Sequence, residues 1–101
     1  MDLDIHLIGL NHKTAGVEIR EKAALSDAAG FEQGLLACVA GAREAMVVST
    51  CNRVEILVVA DQDEPALPER VLAYWAGVKG FAPPEVRPSL YMRQGDEAVS
   101  H

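Results

Sequence analysis

Two apolar runs, 45–48 and 54–60, flank the polar pentapeptide Ser49-Thr50-Cys51-Asn52-Arg53. Both runs are rich in β-branched residues and read as the two strands of a hairpin, with Asn52 able to take the positive φ that a tight turn favours. Upstream, residues 4–10 are apolar on both sides of His6, which suits a central strand with His6 as a satisfied core or edge residue. A polar loop follows over 11–16. Residues 17–25 predict a short helix with Glu18 and Lys22 one turn apart on a solvated face. Ser26 and Asp27 are candidate caps for a second helix, in which Phe31, Leu35, Leu36 and Val39 make an apolar stripe and which Gly41 ends. Cys38 lies on the stripe side and is read as packing. After the acidic stretch 61–64, a third helix from about 65 to 77 buries Leu67, Val71 and Trp75 or Tyr74. Pro83 and Pro84 then break the chain. A last strand lies near 89–93, and Asp96 is a candidate cap for a new helix containing Ala98, Val99 and His101.

The order strand, helices, strand, strand, helix, strand predicts an α+β fold, a ferredoxin-like βαββαβ sandwich whose antiparallel sheet carries helices mainly on one face. Residues 46–48 and 56–59 are apolar on both faces of the sheet. The second face is therefore also expected to be covered, by chain following His101.

Composition narrows the class. With 101 residues, half of them hydrophobic and five aromatic, the chain is one globular domain with a modest, mainly aliphatic core. No apolar run approaches the roughly 18 residues needed to cross a bilayer, and the start Met1-Asp2-Leu3-Asp4 lacks the basic character of a secretion signal. These features predict a cytoplasmic protein without membrane contact. Cys38 and Cys51 have neither a disulfide framework nor a metal-ligand spacing, so both are expected reduced and no metal site is predicted. Fifteen acidic residues against nine basic give a net charge of −6, which argues against a broad phosphate-binding face. No Gly-x-Gly-x-x-Gly string occurs, so no dinucleotide-binding residue is assigned.

The chemistry concentrates at Cys51. Its place at a strand end, among polar neighbours and near free backbone N–H groups, marks a candidate nucleophile, although a cysteine between apolar strands is also a common small filler. Arg53 sets a positive charge in the same turn, of the kind that favours a thiolate and that grips carboxylates in a bidentate fork. The loop Asn11-His12-Lys13-Thr14 follows the first strand and is a polar connection that can lie near the thiol.

Three strings, Gly9-Leu10-Asn11-His12-Lys13-Thr14-Ala15, Val17-Glu18-Ile19-Arg20-Glu21 and Ser49-Thr50-Cys51-Asn52-Arg53, occur in an order and spacing that resembles the N-terminal domain of glutamyl-tRNA reductase over nearly the whole chain. The resemblance implies that Cys51 attacks the ester joining glutamate to its tRNA, and that NADPH reduces the resulting thioester to glutamate-1-semialdehyde at the start of tetrapyrrole (porphyrin) synthesis. It implies Thr50, Cys51, Asn52 and Arg53 at the substrate, with Arg53 on the glutamate side chain and Thr50 beside the oxyanion. Asp96-Glu97-Ala98-Val99-Ser100-His101 is similar to the family segment ending in a histidine that matters for activity, which makes His101 a second catalytic candidate. His12 and Lys13 are candidates for a supporting role. The resemblance further implies that residues 1–101 are a fragment without the NADPH-binding and dimerisation domains. Its implied partners are the aminoacyl end of glutamyl-tRNA, a second copy through the missing C-terminal domain, and the aminomutase that consumes the semialdehyde. Gly16 stands where the family usually has proline. Two other readings fit the residues alone: a non-catalytic ferredoxin-like module that binds a small acidic metabolite or partner protein, and a stand-alone hydrolase using Cys51 and His101.

Overall fold

A computed structural model describes residues 4–60, 64–95 and 98. The chain runs through β1 (Asp4–Asn11), α1 (Val17–Ala23), α2 (Ala28–Cys38), β2 (Glu44–Ser49), β3 (Arg53–Ala60), α3 (Leu67–Lys79), α4 (Pro83–Val86), a 3₁₀ turn (Arg87–Ser89) and β4 (Tyr91–Gln94). The four strands form a sheet in the order β2-β3-β1-β4, with every neighbour antiparallel. This is the βαββαβ arrangement expected from the order of patterns.

Period-2 alternation divides the sheet into two chemical faces. Ile8 and Leu10 of β1 and Val54, Ile56, Val58 and Ala60 of β3 meet the helices, where Phe31 and Leu35 of α2 and Leu67, Val71 and Trp75 of α3 complete one buried cluster. Trp75 is fully buried, and its indole N–H donates to the Ala23 carbonyl at 2.9 Å, so α3 is tied to the end of α1. His6 is buried and satisfied, its Nε2 standing 2.7 Å from Asp4 Oδ2. On the edge strand β2, the Glu32 carboxylate accepts the outward Val47 N–H at 2.8 Å, closing part of an edge that would otherwise invite pairing.

The opposite face carries a smaller buried group of Leu7, Tyr91 and Ala98, with Ile5 and Leu57 packed against it. Ala98 therefore lies over this face, while Met46 and Val48 remain exposed. Apart from Ala98, the segment 96–101 expected to be helical lies outside the described residues, as does all but Glu64 of the acidic stretch.

Outside the β2–β3 turn, several local expectations differ from the structure. Leu36 and Cys38 face solvent, because 31, 35 and 39 already define the inward stripe and 36 sits a full 100° round the helix from 35. Cys38 is thus an exposed thiol, not packing. Lys22 bridges to Glu85 Oε2 at 2.7 Å instead of to Glu18. Pro83 and Pro84 start α4 instead of merely breaking the chain, since proline at the first helical positions forgoes an N–H that has no partner there anyway.

Gly16 precedes α1 with φ −70° and ψ 170°, inside the narrow φ range of proline, and no atom lies within 4 Å of a Cβ added there. Gly16→Pro is expected to stabilise the chain by about 0.4–1 kcal/mol through the unfolded state. Urea unfolding checks this, and a lower midpoint would show that the position needs its N–H.

Candidate functional site

The polar pentapeptide closes the β2–β3 hairpin. Thr50 organises it: its N–H donates to the Arg53 carbonyl at 2.8 Å, and its Oγ1 accepts the N–H groups of Asn52 and Arg53, both at 3.2 Å. A side-chain oxygen thus takes the place of a backbone acceptor, a known use of Ser and Thr in turns. The positive φ expected at Asn52 is then unnecessary, and no non-glycine among the described residues has one. The turn is buttressed below, where the Leu25 N–H donates to Ser49 Oγ at 3.0 Å.

Cys51 occupies the tip and is exposed. Because Thr50 engages the Asn52 and Arg53 amides, these two donors are not aimed at a ligand. The Cys51 N–H has no hydrogen-bond partner among the described residues, and the Thr50 hydroxyl retains its own proton as a donor.

The first strand delivers a second loop to the same place. Asn11 faces Arg53 in the β1–β3 ladder, and the His12 N–H donates to the Asn52 carbonyl at 2.8 Å. Asn11 Oδ1 accepts the N–H groups of Lys13 at 2.9 Å and Thr14 at 3.2 Å, which fixes the loop. The structure therefore brings the loop bearing His12 and Lys13 against the Cys51 turn. His101 lies outside the described residues.

Two residues that sequence reading did not single out belong to this neighbourhood. Glu55, two places beyond Arg53, is buried, with Oε1 3.5 Å from Arg53 Nη1. Tyr91 Oη donates to Glu55 Oε2 at 2.6 Å. Burial first, and then the adjoining Glu55 carboxylate, push the Tyr91 phenol well above its ordinary value, so it stays a neutral donor. Two sequence signals were available: a glutamate inside an apolar strand, and an isolated glycine, Gly9, in another, which marks close approach. Glu55 also walls a hollow of about 130 Å³ with Leu7, Met46, Val48, Leu57 and Ala98.

Among the described residues no group of three His, Cys, Asp or Glu side chains could hold a metal ion, and no helix is long and apolar enough to cross a membrane. The doubly wound way of holding a dinucleotide, a glycine-rich turn at the carboxyl ends of adjacent parallel strands, is not found among the described residues, whose pairings are each antiparallel.

Comparison with known proteins adds what geometry alone does not. The chain is 45% identical over 101 residues to the glutamyl-tRNA reductase of Oleidesulfovibrio alaskensis and 50% identical over 103 residues to that of Solidesulfovibrio magneticus. Each match takes in the whole chain and 22% of the relative, so the chain spans about a fifth of the length of these curated relatives. Its fold matches the solved structure of glutamyl-tRNA reductase from Methanopyrus kandleri with a TM-score of 0.65 and 22% identity, over 96% of this chain and 20% of that one. The family model for the N-terminal domain of glutamyl-tRNAGlu reductase matches residues 8–101, and the chain therefore belongs to that family.

Proposed function

We propose that this chain is the part of an NADPH-dependent glutamyl-tRNA reductase that removes glutamate from its tRNA. The observation that carries the reading is an exposed thiol at the tip of a turn whose next strand begins with an arginine. The Cys51 sulfur attacks the carbonyl carbon of the aminoacyl ester. A C–S bond forms, the C–O bond to the tRNA breaks, and the departing 3′-oxygen takes a proton, leaving a glutamyl thioester and free tRNA. The Thr50 hydroxyl and the Cys51 N–H are the donors for the oxyanion that develops on the carbonyl. Arg53 receives the side-chain carboxylate of glutamate, as planar bidentate recognition favours. His12 and Lys13 support the turn and its positive potential, and His101 moves or positions the proton required at attack or departure.

The chain's own chemistry ends at the thioester. NADPH, which supplies the hydride that turns it into glutamate-1-semialdehyde, belongs to a domain outside these residues, as does contact with the body of the tRNA. The net charge of −6 supports that division. Dimerisation outside this domain, hand-over of the semialdehyde to an aminomutase, and a cytoplasmic setting complete the proposal.

The test is transfer of radiolabelled glutamate from glutamyl-tRNA to the 101-residue chain, read as protein-bound label that hydroxylamine releases. Arg53→Ala is expected to raise the half-saturating glutamyl-tRNA concentration about 10- to 30-fold, the loss of one charge-assisted pair, with a smaller change in the plateau rate. Equal losses for glutamyl-tRNA and for aminoacyl-tRNAs with neutral side chains would remove Arg53 from glutamate selection. A chain that takes up no label would instead favour the non-catalytic binding module.

A further inference from the structure

The anion anchor is built from two successive rows on one face of the sheet. In one row Glu55, Gly9 and Tyr91 stand side by side on β3, β1 and β4; two residues along, past the Leu10↔Val54 row that points to the other face, Arg53 faces Asn11. Gly9 contributes no side chain, and Glu55 lies across the gap: a Cβ at position 9 would stand 2.8 Å from Glu55 Cγ. Over that gap the Tyr91 hydroxyl reaches Glu55 Oε2 at 2.6 Å. The Arg93 guanidinium lies 5.6 Å from the Tyr91 ring centroid.

Two of the contacts that Glu55 makes are unequal. An unconstrained arginine–carboxylate pair closes to a bidentate fork with N–O distances near 2.8 Å, yet Arg53 Nη1 stays 3.5 Å from Glu55 Oε1, and the Arg53 side chain keeps 47% of its surface open. The short bond goes to Tyr91, on the far side of β1. Glu55 is therefore drawn toward β4, away from the cation two residues before it.

We propose that Tyr91 is a positioning residue that holds the Glu55 carboxylate back from Arg53, so that the guanidinium is oriented by Glu55 but not neutralised by it and stays open to a carboxylate of the substrate. This rests on the reading that Arg53 receives the glutamate side chain. Without the Tyr91 hydroxyl, Glu55 swings the short distance to Arg53, closes the fork, and competes with the substrate as an internal carboxylate.

The test uses the same glutamyl transfer to the 101-residue chain. Tyr91→Phe removes one oxygen and leaves the ring in place. It is expected to raise the half-saturating glutamyl-tRNA concentration about tenfold with the plateau rate within about twofold. Adding Glu55→Gln to Tyr91→Phe returns most of that loss, because a neutral amide does not neutralise arginine, and in an Arg53→Ala background Tyr91→Phe adds nothing. A merely structural tyrosine would instead give losses that persist without Arg53 and deepen with the second substitution; that pattern, or an unchanged half-saturation in Tyr91→Phe, overturns the inference. A readout independent of transfer is the ¹⁵N NMR of the Arg53 guanidinium, whose rotation slows in Tyr91→Phe as the fork closes; unaltered rotation counts against it. If the wild-type chain takes up no glutamate, the proposed function fails and the inference falls with it. A wild-type chain that does, beside an unaffected Tyr91→Phe, removes the inference alone.

Discussion

Cys51→Ser is expected to reduce glutamyl transfer by a factor on the order of 10⁴ or more, while tRNA binding by the variant stays within about twofold of the wild type. The magnitude follows from what the substitution removes. Deleting a nucleophile from a site that acts as a unit costs most of the chemical acceleration, and a serine hydroxyl, far less acidic than a thiol, is a poor nucleophile at neutral pH in a site built for a thiolate. The fold should tolerate the change, because Cys51 is exposed at the tip of the turn and Thr50, not Cys51, provides the hydrogen bonds that close it. Cys38 is also exposed, so the comparison is made in a Cys38→Ala background, in which iodoacetamide should label a single site. Transfer retained in Cys51→Ser would end the thioester mechanism. Slower labelling of Cys51 than of a model peptide thiol would remove the claim that the turn activates it.

What could be read from the sequence was what depends on near neighbours. The strands and the hairpin follow from β-branched, apolar runs broken by a short polar cluster, and the Asp27 cap, which accepts the Gly30 N–H at 3.0 Å, follows from residue type three positions before its partner. The turn residues at the candidate site were legible for the same reason: Thr50 to Arg53 are contiguous, and their polar character between apolar runs has few structural explanations. The misreadings were also local, and each reflects a competing interaction from elsewhere in the fold. Lys22 left its helical neighbour Glu18 for Glu85, 63 residues away, and Asn52 was relieved of positive φ by the Thr50 hydroxyl. The support beneath the site was not legible, because it is a product of register. Glu55 and Tyr91 are 36 residues apart and meet only because both strands pair with β1 opposite the same residue. A one-residue slip of either strand would send its partner to the other face.

That shared residue, Gly9, sets the second large effect: Gly9→Ala is expected to destabilise the chain by about 3 kcal/mol, at the upper end for overpacking a well-filled site. An added Cβ would stand 2.8 Å from the Val54 carbonyl oxygen and 2.8 Å from Glu55 Cγ, with Glu55 Cα at 3.2 Å. Two of these atoms are backbone, and the third is the root of a buried side chain, so no flexible end can swing aside. Relief requires β1 and β3 to part at Gly9↔Glu55, in the middle of a ladder that runs from Asp4↔Ala60 to Asn11↔Arg53. For a domain of about this size, 3 kcal/mol corresponds to a fall in Tm of roughly 12–24 °C, measurable by circular dichroism. The substitution should reach function as well as stability, since the shifted Glu55 loses its place opposite Tyr91 and Arg53 loses its guide. At a temperature where Gly9→Ala remains folded, its half-saturating glutamyl-tRNA concentration should therefore rise at least as far as that of Tyr91→Phe. A Tm within about 3 °C of the wild type would mean that the strands separate at little cost, and that glycine at position 9 is not what lets Glu55 cross the sheet.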